Sequence, residues 1–179
     1  MRAQTKALAA ALAAALAFTG LQPAAADTTA LVDLEAAEYV IDSDNDGLPD
    51  DWETEGIVLH DGTELALPDW GVDPNRPDLF LQINWMEQHN GKSFAPSAEA
   101  LQDIVDLFDD HGIALHIDAG ETYTNIPNYT EFHGGETVDY SQHYFADQIS
   151  GVRLLKDIET RLGDRSNAFR LGIIGDQID

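Results

Sequence analysis

Between Asp42 and Glu53 the chain reads Asp-Ser-Asp-Asn-Asp-Gly-Leu-Pro-Asp-Asp-Trp-Glu. Calcium is a hard cation that takes six to eight oxygen ligands. In a tightly wound loop alternate residues turn inward, so Asp42, Asp44 and Asp46 can share one ion. Gly47 permits the sharp turn that brings the chain back, and Leu48 then offers its backbone carbonyl. Asp50 can bind directly or through water, and Glu53 reaches in from the start of the next helix with both oxygens. Without a cation these carboxylates repel one another and raise each other's pKa. A solvated acidic turn is the alternative. It does not account for acids at the first, third, fifth, ninth and twelfth places with glycine at the sixth.

That spacing fits the EF-hand loop template in full. One residue departs from it. Pro49 stands at the eighth place, where a paired hand uses a backbone amide to join its partner loop, and proline has no N–H. No second such loop occurs in the sequence. The loop is similar to the single loops of dockerins and thrombospondin type 3 repeats. That resemblance implies structural calcium rather than a calmodulin-like opening switch.

Other chemistries find less support. Cysteine is absent, which excludes thiol catalysis and disulfide staples. The six histidines form no H-E-x-x-H signature. His111 lies near a helix end, where it can cap carbonyls, and His116 falls within an expected strand. His133 and His143 flank Gly134-Gly135-Glu136 in the most ligand-like histidine setting, although their spacing alone is a weak zinc signal. There is no G-x-S-x-G elbow, phosphate loop or dinucleotide fingerprint.

The elements that must position the loop follow from pattern. Arg2 and Lys6, the apolar run Ala7 to Phe18 and the small residues Ala24 to Ala26 predict an export signal over 1–26, too short to span a bilayer. Removing those two bases from nine leaves seven against 33 acids, a net charge near −26. Such a field repels nucleic acid and anionic lipid and favours divalent cations. Leu31, Leu34 and Ala37 suggest a short helix over 28–41, leading into a calcium-binding segment that closes at residue 56. Gly56 to Pro77 is rich in Gly, Pro and Asp and reads as a linker of turns, assigned to 57–78.

The remaining 79–179 reads as an α/β domain. Leu79 to Met86 is a short apolar run, expected as a buried strand. Ser97 is a plausible N-cap for a helix over 97–111. Its stripe is Leu101, Ile104, Val105 and Phe108, and Gly112 stops it. Ile113 to Ile117 is a second strand, parallel to the first across this helix. Residues 119–139 read as loops with at most one short strand. Val152 to Leu162 is a second helix, and Ala168 to Ile174 a further strand.

The run from Asp42 to Glu53, then Asp61-Gly62-Thr63, Leu67-Pro68 with Gly71, Asp73 and Pro74, and Trp85-Met86 resembles a pattern of secreted bacterial proteins. Several of these look like zincin-type metalloproteases, in which a strand-helix-strand subdomain precedes the H-E-x-x-H helix. The resemblance implies a small, mostly parallel sheet with two helices, an incomplete zincin-like N-terminal subdomain preceded by the calcium loop. No zinc ligand carries over, because no position matches. The expectation is a secreted calcium-binding protein with no catalytic centre in this chain, no nucleic-acid partner and no membrane attachment after signal cleavage. A truncated or atypical secreted zinc metalloprotease is the rival.

Overall fold

The computed structural model describes residues 40–142, 144 and 148–176. The expected export signal lies outside them, as does the expected first helix but for Val40 and Ile41, which are irregular. Tyr39–Asp179 forms one compact unit.

The sheet is built around a single long strand. Leu79 to Met86 was expected as a strand, and β3 spans Asp78–Met86. β4 (Ala114–Asp118) and β6 (Phe169–Ile174) run parallel to it, as does the two-residue β5 (Thr137–Val138). Phe80 pairs with both His116 and Phe169, so β4 and β6 lie on opposite edges of β3. Trp85 pairs with both Thr137 and Ile174, which puts β5 on the β4 edge further along. The expected α/β class with a small parallel sheet is therefore present. Three helices lie among the described residues: α1 (Asp50–Glu55), where the acidic loop was expected to lead into a helix, and the two expected beside the sheet, α2 (Ala98–Asp109) and α3 (Gln148–Arg161).

Side chains alternate across a strand, and on β3 both faces are largely buried. Leu79, Leu81, Ile83 and Trp85 join Leu101, Val105 and Phe108 of α2 and Leu115 and Ile117 of β4. The Ser97 hydroxyl caps α2 by accepting from the Ala100 N–H at 3.1 Å. Ile104, expected in the stripe, lies at its margin and is 40% exposed. His111 caps the far end, its Nδ1 donating to the Leu107 carbonyl at 2.8 Å.

The other face of β3 presents Asp78, Phe80, Gln82, Asn84 and Met86. Phe80 is buried in a cluster with Leu48, Leu59, Leu65, Leu67, Trp70 and Phe169. Four of these come from the stretch expected to be turns only. That stretch folds into a short antiparallel hairpin, β1 (Ile57–Val58) with β2 (Glu64–Leu65), and a 3-10 turn over Leu67–Trp70. Its apolar residues are too scattered among Gly and Pro to show a period, yet each turn drops one into the same core. Further along β3, the Gln82 amide donates to the His133 carbonyl at 3.0 Å, and the Asn84 amide to that of Glu136 at 3.1 Å.

The long loop after β4 is held by a second buried acid. Asp118 accepts from the N–H groups of Gly120, His133 and Gly134 at 3.0, 2.8 and 3.0 Å. Only glycine fits at 134, where a Cβ would stand 2.0 Å from the Asp118 carbonyl oxygen. Arg165 brings its guanidinium within 3.8 Å of the same carboxylate and donates to Gln82 at 3.0 Å and the Tyr129 hydroxyl at 2.9 Å. On the outer edge of β4, Asn125 takes the place of a neighbouring strand. Its side chain accepts from the Ile117 N–H at 2.6 Å and donates to the Leu115 carbonyl at 2.5 Å.

Phe80 lies at the centre of these contacts, stacked 4.4 Å from His116 and tilted against Phe169 at 5.1 Å. Phe80→Ala should lower unfolding free energy by about 3–5 kcal/mol in urea titrations, as core aromatic truncations do. A loss below about 1 kcal/mol would contradict this packing.

Candidate metal centre

The acidic loop winds around its own carboxylates. Asp42 accepts from the N–H of Asn45 at 2.8 Å and of Gly47 at 3.1 Å. Asp44 accepts from Asp46 N–H at 3.2 Å, and Asp46 from Leu48 N–H at 2.7 Å. Gly47 takes φ +94°, the left-handed region the sequence reserved glycine for. Leu48 then turns its side chain into the core, only 4% exposed, and anchors the loop there. Pro49 is the N-cap residue of α1, whose first turn carries Asp50, Asp51 and Glu53. Acids at a helix N-terminus are favoured by its dipole.

Two groups of carboxylates arise from this winding. Asp42, Asp44 and Asp46 each offer an oxygen within 4.8 Å of the others, and so do Asp46, Glu53 and Asp78. Asp46 belongs to both. The expected ligands therefore divide: Asp42, Asp44 and Asp46 converge, and Glu53 meets them through Asp46. Asp50 belongs to neither group, and its two oxygens accept from Ser43 N–H at 2.8 Å and Ser43 Oγ at 2.7 Å.

Asp78 was not expected in the site. It stands 25 residues beyond Glu53, outside any loop template. The sequence did hold a faint signal for it. A lone acid opens an apolar strand on the same parity as Phe80, so its side chain must face the buried side.

Glu53 is the outlier of the cluster. It is 1% exposed, and neither carboxylate oxygen has a hydrogen-bond partner among the described residues. Asp44 Oδ2 is likewise buried and unpartnered. Burial, then the charges of Asp44, Asp46, Asp78 and Asp50, push the Glu53 carboxyl up to about 8. Burial, and next the charge of Asp46, also raises Asp44. A buried carboxylate without a donor is strongly unfavourable unless it is neutralised or paired. A divalent cation between these oxygens would supply that pairing, and the all-oxygen donor set would suit a hard ion.

The histidine alternative gathers less. His133 Nε2 stands 4.0 Å from Glu131, and burial, then the Arg165 guanidinium, push its imidazole down. Glu136 accepts from Arg161 at 3.0 Å. His143 lies outside the described residues. Among the described residues no helix is long and apolar enough to cross a membrane. No family model matches the chain, and neither a curated protein nor a solved structure matches it.

In chelator the folded state keeps a proton on Glu53 that the unfolded chain releases near 4.5. This contribution to stability should fall as pH rises from about 4.5 to about 8, by on the order of a few kcal/mol, and level off above. A carboxyl-carbon NMR titration in chelator should give Glu53 a midpoint near 8. A midpoint in the ordinary glutamate range would contradict the site's electrostatics.

Proposed function

We propose that this is a secreted calcium-binding protein with one EF-hand-type loop, whose calcium is structural rather than switching and which has no catalytic centre of its own. One observation carries the metal part: the buried Glu53 carboxylate, with no donor on either oxygen among the described residues, grouped with Asp46 and Asp78. Calcium is preferred to zinc because every converging donor is oxygen, whereas zinc favours nitrogen and sulfur. It is preferred to magnesium because a cluster of several carboxylates suits calcium's higher, variable coordination rather than a strict octahedron that retains water.

The structural role rests on how the loop is anchored. A switching hand swings its exit helix away from a partner. Here the exit helix α1 has six residues and ends at Gly56. Leu48 belongs to the same buried cluster as Phe80 and Phe169, and Trp52 packs against it. Pro49 offers no amide for a partner loop. Calcium held there cross-links segments that are already packed. Export is supported by the sequence alone, through the pattern of residues 1–26 and the strongly acidic composition.

Calorimetry should show one calcium site with a dissociation constant on the order of 10⁻⁴ to 10⁻³ M, the range of extracellular modules. Asp42→Ala and Glu53→Ala should each abolish it. At a hundredfold excess over that constant, calcium should add about 2.7 kcal/mol to unfolding free energy. An isotherm unchanged in both variants, or no heat at millimolar calcium, would overturn the proposal.

A further inference from the structure

We infer that the calcium site is completed from outside the loop: Asp78, the first residue of the central strand, is a direct ligand, and His116 on the neighbouring strand positions it. This rests on the calcium proposal for the same site and names a ligand that the loop template does not contain.

Four observations converge on Asp78. Its carboxylate lies within 4.8 Å of oxygens from both Asp46 and Glu53. Its side chain is 1% exposed, so it faces the cluster from within the protein. Its own N–H donates to Asp46 Oδ2 at 2.6 Å, which fixes the strand's first residue against the loop. Glu53, buried beside it, has no donor on either oxygen among the described residues, so its negative charge is uncompensated there by any protein group described.

The carboxylate is also oriented. His116 Nε2 donates to Asp78 Oδ1 at 2.5 Å, and Asp73 N–H donates to Oδ2 at 3.2 Å. His116 is itself held, stacked at 15° on Phe80. Each carboxylate oxygen has two lone pairs, so one protein donor on each leaves capacity for a cation. Ligating carboxylates are themselves hydrogen-bonded by outer-shell groups, which sets their orientation, and His116 stands in that place.

The template's ninth residue leaves room for this substitution. Asp50 belongs to neither carboxylate group, whereas Asp78 lies with Asp46 and Glu53. Asp78 takes over the role of a carboxylate beyond the first half of the loop. The ligand class is a hard divalent cation bound as a single ion, with Asp46 common to both carboxylate groups. Calcium then joins the loop and α1 to β3 directly, and to β4 through His116.

The test uses the full chain with terbium(III) as calcium surrogate, reading bound waters from luminescence lifetimes in H₂O and D₂O, alongside calcium calorimetry. Asp78→Ala should add about one bound water and weaken calcium binding by at least roughly tenfold. His116→Gln should weaken binding without changing the water count. Asp50→Ala should leave the water count unchanged. Asp78→Asn keeps the side chain's shape, so it decides the matter by affinity if the alanine variant does not fold: an affinity within about twofold of the parent would overturn the inference. So would an unchanged water count in a folded Asp78→Ala, or a stoichiometry of two. If the parent binds and Asp42→Ala does not, while both Asp78 variants match the parent, only this inference fails. If the parent binds no calcium, the proposal beneath it fails as well.

Discussion

The charge on Glu53 constrains everything around it. A carboxylate 1% exposed, with no donor on either oxygen among the described residues, does not sit in a protein core without compensation. The loop on its N-terminal side presents carboxylates rather than donors, so the nearest acids make the problem worse rather than better. A cation would invert every one of these interactions at once, and the same oxygens that repel one another without metal would become its ligands.

The neighbouring structure fits that role. Leu48 and Trp52 sit at either side of Pro49 and pack into the cluster that contains Phe80. The start of β3 meets the loop through the hydrogen bond from Asp78 N–H to Asp46. The far half of the molecule solves its own buried acid differently. Asp118 is satisfied by three backbone N–H groups and approached by Arg165. The contrast is informative: a buried carboxylate whose partners lie within the protein is surrounded by donors, and Glu53 is not.

Local patterns carried much of this architecture in the sequence. The apolar run of β3, the Ser97 cap and stripe of α2, and the β6 run near residue 169 each depend on neighbours a few residues away. The spacing of Asp42, Asp44, Asp46 and Gly47 is equally local, and the structure brings those three carboxylates together. Features set by distant contacts were not legible. Leu59, Leu65, Leu67 and Trp70 lie among turn-formers with no period, and only the closed core shows why they are apolar. Asp78 meets the loop through a contact 32 residues apart in sequence, its N–H donating to Asp46 Oδ2. Asp50 could not be foreseen to turn toward Ser43, since the template allows that position to bind through water.

Thermal unfolding of the parent and Glu53→Gln at pH 8.5, in calcium and in chelator, tests the central claim most directly. Removing the buried charge while keeping its shape should make the variant more stable than the parent in chelator. Calcium should raise the parent's melting temperature by several degrees and leave the variant's nearly unchanged, so the order of stabilities narrows or reverses. A variant less stable than the parent in chelator, or a parent indifferent to calcium, would contradict the account.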